Sequence, residues 1–144
     1  MRLVREFELE VEGPQSLLNT PERVFARLPG LANLKREDAK LTGELCGEAR
    51  LLGRFCFPFE SEFQSGNPAR LHPRPLAHKR LWAELGGEAR AQEGRLLYRI
   101  RLVLHAELPE GEKWGTRAFR RMAEAALENA LNKSLLSLPR QIAV

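Results

Sequence analysis

The sequence predicts an α+β fold in which a curved antiparallel β-sheet wraps around a long C-terminal α-helix, with one or two short helices after the first strand. Three observations lead there. The N-terminal residues alternate apolar and acidic, and the middle of the chain is a series of strand-like runs separated by turn residues. Near the C-terminus the apolar period then changes from two to three and four.

The first strand places Leu3, Phe7, Leu9 and Val11 on one face and Glu6, Glu8, Glu10 and Glu12 on the other, and stops at Gly13-Pro14. Thr20-Pro21-Glu22-Arg23 then reads as an N-cap, a proline in the first turn and an acid where the helix dipole favours one. A short helix through Val24, Phe25 and Leu28 is expected to end at Pro29-Gly30, with a second brief helical turn over Leu31–Leu34. From Lys40 to Leu108, glycine and proline punctuate runs with no room for crossover helices, which implies an antiparallel meander. Phe55, Phe57, Phe59 and Phe63 share one strand face, and Leu96, Tyr98, Ile100, Leu102, Leu104 and Ala106 share another. Gly86-Gly87 and Gly94 bracket a short charged stretch that reads as a hairpin or a pair of loops. Phe119, Met122, Ala126, Leu127, Ala130 and Leu131 fall on one stripe of a helix from Thr116 to Leu138, stopped by Pro139. Parallel strands would require helical crossovers, so an antiparallel sheet with its apolar face on the last helix is the economical assembly.

Length and balance restrict the function classes. A chain of 144 residues is expected to form one domain, 1–144, and 43% hydrophobic with 29% charged residues is a globular composition, not a disordered tail. The N-terminus carries no apolar signal core and no run is long enough to span a bilayer, so a cytoplasmic location is expected. Cys46 and Cys56 lack metal-ligand spacing and are expected as reduced, structural thiols. The net charge of +4 is spread among acids. Its densest basic stretch, residues 70–80, lacks interleaved aromatic residues, which argues against nucleic acid as a partner. An interaction module using that stretch, including transient contact with an anionic membrane surface, stands as an alternative.

Thr20-Pro21-Glu22-Arg23-Val24-Phe25 with Leu28-Pro29-Gly30-Leu31, Leu41-Thr42-Gly43-Glu44-Leu45, Gly53-Arg54-Phe55 and the closing helix together resemble the START-like (SRPBCC, helix-grip) superfamily. The nearest pattern is similar to the group of carbon monoxide dehydrogenase subunit-like and polyketide cyclase-like proteins. The resemblance implies a cavity between sheet and helix for a lipid, quinone or polyketide-like molecule, without a cofactor or metal. The expected ligand-binding residues are Phe25, Leu28, Leu31, Phe55, Phe57, Phe59, Phe63, Tyr98, Ile100, Leu102, Phe119, Met122, Ala126 and Ala130. No residue is assigned as catalytic, because no spacing assembles a nucleophile, a base and an orienting group. A non-enzymatic carrier is the first reading. A cyclase- or aromatase-like enzyme is the alternative, with Tyr98, on the inward face by parity, as the best proton donor. His72, His78 and His105 have no metal-ligand spacing, and His105 falls on the outer strand face.

Overall fold

The computed structural model describes residues 2–49, 53–107 and 141–143, together with Arg121, Met122, Ala125, Ala126, Glu128, Asn129 and Lys133. The described strands are β1 (Arg2–Glu12), β2 (Leu31–Glu37), β3 (Lys40–Ala49), β4 (Gly53–Gln64), β5 (Ala69–Arg74), β6 (Leu81–Gln92), β7 (Arg95–Ala106) and β8 (Gln141–Ala143). They form one sheet in the order β2-β3-β4-β5-β6-β7-β1-β8. From β2 to β7 it is a meander of antiparallel neighbours. The first strand is then added beside the last of these, paired with β7 from Arg2↔His105 to Glu12↔Arg95.

That order leaves the end of β1 several strands away from the start of β2, so residues 13–30 have to cross the sheet. The crossing contains a 3-10 turn, Gln15–Asn19, and one short helix, α1 (Pro21–Phe25). Its Leu17, Leu18, Val24, Phe25 and Leu28 are all buried in one cluster with the inner-face residues of the strands. The turn packs against β6 and β7, and α1 against β2. Pro21 occupies the first helical turn with Glu22 beside it, but the Thr20 side chain makes no cap; its carbonyl accepts from the Arg23 amide instead.

The expected fold class needs correction. The sheet is not wholly antiparallel, because β8 runs parallel to β1 from Glu10↔Gln141 to Glu12↔Ala143. Among the described residues there is no long C-terminal helix, and the one continuous α-helix is α1. Most of the helix expected over 116–138 lies outside the described residues; the seven that are described have helical backbone. Ala126 is half-buried against the core, but Met122, expected to face a cavity, is 46% exposed. The 3.6-residue period near the C-terminus makes that segment the obvious cover. The cover observed on the inner face is the crossing, whose apolar residues are too few to show a period.

Three local expectations also change. Leu31–Leu34 opens β2 instead of a helical turn, and the register shift around Asn33, which has a φ of 53°, hides the alternation. Gly86-Gly87 lies inside β6 and does not end a strand. A Cβ on Gly87, whose φ is 150°, would stand 2.0 Å from the Arg99 carbonyl oxygen, so glycine is what lets β6 and β7 approach there. The true hairpin turn is Glu93-Gly94, where both residues have positive φ. Finally, Cys46 and Cys56 form a disulfide, because β3 and β4 put them directly opposite each other.

The sheet curls enough for β4 to touch β6 across the short β5. Ser61, fully buried on β4, donates its hydroxyl to the Leu85 carbonyl on β6 at 2.5 Å. Among the described residues no helix is long and apolar enough to cross a membrane.

Gly87→Ala is expected to lower the unfolding free energy by about 3 kcal/mol or more, since backbone itself must move. Gly94→Ala, with open space around its Cβ and only a positive φ to oppose it, is expected to cost about 1 kcal/mol. Urea denaturation of both variants checks the ranking, and a Gly87→Ala cost no larger than that of Gly94→Ala would contradict it.

Candidate functional site

Tyr98 is the natural place to begin, because it is a polar group where polar groups are costly. Strand parity turns it inward beside Ile100, and it is only 3% exposed, packed edge-on to Phe25 with ring centroids 6.2 Å apart. Among the described residues its hydroxyl has no hydrogen-bond partner. Leaving a buried hydroxyl unpaired costs about 1–3 kcal/mol. Burial, and secondarily the Glu22 carboxylate, push the phenol up to about 12, so the group is an acid that keeps its proton at neutral pH.

Beside Tyr98 lies a cavity of about 20 Å³. Leu18, Pro21 and Phe25 close it from the crossing segment, while Phe63, Leu71 and Ile100 contribute from the strands. This volume holds about one water molecule, well short of the 300–1,000 Å³ or so of a site for a drug-sized ligand.

Arg36 of β2 fastens the cover. Its guanidinium donates to the Asn19 carbonyl at the end of the 3-10 turn and pairs with Glu22 of α1 at 3.2 Å. It also lies over the Phe63 ring, 4.4 Å from the centroid. One side chain thus ties both elements of the crossing to a wall of the cavity. Alternation puts Arg36 on a polar face, where nothing in the local pattern sets it apart from other surface arginines.

The model of a family described as "Protein of unknown function (DUF3809)" matches residues 4–136. The chain belongs to the DUF3809 family. No curated protein matches it in sequence. Among solved structures, the DUF3809 chain is similar to the Zhui aromatase/cyclase from Streptomyces sp. R1128, with a TM-score of 0.50 at 14% identity. The match covers 90% of this chain and 86% of that one. It is also similar to TTHA0849 from Thermus thermophilus, with a TM-score of 0.47 at 15% identity, covering 92% of each chain. The likeness to the aromatase/cyclase is one of fold, and at that level it is consistent with the START-like resemblance.

The remaining expected site residues of the DUF3809 chain fall into separate groups. Phe25, Phe63, Tyr98 and Ile100 line the small cavity together. Phe55, Phe57, Phe59, Leu28 and Leu102 are buried in the same core but do not line that cavity, and Leu31 is half-buried at its edge. Phe119 and Ala130 lie outside the described residues. Leu18, Pro21, Ala69, Leu71 and Ala89 line the cavity and were not singled out by the sequence. The apolar pair Leu17-Leu18 just after a strand-ending Gly-Pro was the available clue.

The basic stretch is less open than its composition suggests. Arg70 faces Glu88 at 4.0 Å and Arg74 pairs with Glu62 at 2.5 Å, so two of its charges already have acidic neighbours on the sheet. His105 is on the outer face as parity requires, stacked on Trp82 at 3.8 Å and 2.8 Å from the Glu84 carboxylate. His72 meets Gln64 on another part of the sheet.

Tyr98 is the only tyrosine in the chain, so its ionisation can be read directly by ultraviolet difference absorbance. The folded protein is expected to titrate near 12, against about 10 for the unfolded chain. A folded value above the unfolded one means the stabilisation is full below about pH 10 and is lost as pH rises towards 12, by about 3 kcal/mol in all. Tyr98→Phe is expected to remove that high-pH component and, at neutral pH, to be neutral or stabilising by up to about 2 kcal/mol. A folded-state titration near 10 would contradict the burial described.

Proposed function

We propose that this DUF3809 chain binds a hydrophobic small molecule between the inner face of its sheet and the crossing segment, with the Tyr98 hydroxyl as its polar anchor. The observation that carries this reading is the unpaired phenol: a buried donor facing an apolar cavity suits a ligand with one carbonyl, hydroxyl or quinone oxygen on an otherwise apolar body. The shared fold with the Zhui aromatase/cyclase, and the START-like segments around Thr20–Leu31, support a lipid, quinone or polyketide-like class.

Such a molecule exceeds a cavity of about 20 Å³ many times over, so binding requires the crossing to move outward from Leu71 and Ile100. Arg36 is then the fastening that opening must break. A cyclase-like activity is the second reading, and the state of Tyr98 favours it in one form only. A phenol held near 12 donates a hydrogen bond or proton to a developing oxyanion and keeps its proton too firmly to serve as a base at neutral pH.

Thermal melts and native mass spectrometry with a long-chain fatty acid, a short-chain ubiquinone and an aromatic polyketide test the proposal. A ligand at a hundred times its Kd is expected to add about 2.7 kcal/mol, a rise of several degrees in Tm. Tyr98→Phe is expected to weaken the oxygen-bearing ligands while sparing a pure hydrocarbon. No shift across the panel and no bound compound would overturn the reading. Turnover of the polyketide that Tyr98→Phe abolishes would favour the enzyme over the carrier.

A further inference from the structure

A second constellation lies on the opposite face of the sheet. In β3 and β4 the inward residues are Leu45, Phe55 and Phe57, so alternation turns Glu44, Cys46 and Cys56 outward, where all three are half-buried. One ligand atom from each lies within 4.8 Å of the other two, and Cys46 Sγ is 3.8 Å from Glu44 Oε2. Asn33, displaced from the β2 register, donates its side-chain N–H to the same Glu44 oxygen at 3.0 Å. The carboxylate is therefore held in place by a neighbouring strand. Strand pairing continues on both sides of the cysteines, from Lys40↔Glu62 to Ala49↔Gly53, so it is the sheet that keeps the two sulfurs opposed.

We propose that the reduced Cys46–Cys56 pair, together with Glu44, is a binding site for a soft divalent cation such as zinc, and that the disulfide is its metal-free, oxidised form. The redox step balances against a dithiol reductant. The reductant gives up two electrons and two protons and closes to its own disulfide, while the Cys46–Cys56 bond breaks into two thiols. Those thiols release their two protons on binding the cation and donate as thiolates. In tetrahedral zinc geometry, with Zn–S of about 2.3 Å and Zn–O of about 2.1 Å, neighbouring ligand atoms stand about 3.5–3.8 Å apart. The Cys46 sulfur and Glu44 oxygen already do, and only the two sulfurs must separate. Asn33 supplies the outer hydrogen bond that ligating carboxylates ordinarily have. Three protein ligands leave one position open to water or an anion.

The test uses the full chain, reduced with dithiothreitol, desalted without oxygen and titrated with cobalt(II) as the probe. One equivalent is expected to bind with a thiolate-to-cobalt charge-transfer band that zinc displaces, and the oxidised chain is expected to show no band. Cys56→Ser is expected to abolish the band, and Glu44→Gln and Asn33→Ala to weaken binding by about tenfold or more. A reduced chain that keeps its far-ultraviolet β signal yet shows no band overturns the proposal, as does unchanged affinity in Glu44→Gln. Unfolding on reduction also overturns it, because the sheet has to hold the thiols together.

Discussion

With β1 paired to β7, the chain ends its first strand on one side of the meander and has to begin its second on the other. Residues 13–30 carry it across, and the inner face of a curled sheet is apolar enough to make that route favourable: burying a leucine or phenylalanine side chain contributes about 1.5–3 kcal/mol. Leu17, Leu18, Val24, Phe25 and Leu28 are buried by this one detour. The topology thus produces the cover, the cover encloses the space beside Tyr98, and the enclosure gives the phenol its altered acidity.

The cover is also the least regular part of the described core. It consists of a 3-10 turn and a five-residue helix, neither with a side-chain cap, whereas the strands around it are held by continuous ladders. Short helices depend on tertiary contacts more than on their own hydrogen bonds, so Arg36 has disproportionate influence where it meets Asn19, Glu22 and Phe63. The Tyr98 cavity and the Glu44–Cys46–Cys56 group occupy opposite faces of the sheet because strand parity sorts their residues, and each has its own chemistry.

The strands were legible where alternation was unbroken. Leu9 and Val11 in β1 and Leu96 to Ala106 in β7 could be assigned to the inner face from spacing alone, and so could Tyr98. The signal failed where tertiary packing overrides local pattern. Gly86-Gly87 looks like a turn because the sequence cannot show that Arg99 passes within contact distance of it. Asn33 conceals a strand by shifting its register, and the cysteines looked independent because their pairing depends on which residues of β3 and β4 face each other. Four of the expected cavity residues do meet around one space, but Arg36 and Leu18 could not be found without knowing that residues 13–30 cross the sheet.

Amide hydrogen exchange across residues 13–30 tests most directly whether the crossing is a cover that opens. Amides of the 3-10 turn and α1 are expected to exchange through a local opening of lower free energy than those of β6 and β7, and Arg36→Ala is expected to speed them by about tenfold, leaving β6 and β7 at the global rate. If amides 15–25 exchange only with global unfolding, in both the native chain and Arg36→Ala, the crossing is a fixed part of the core and the cavity beside Tyr98 is closed to any ligand larger than water.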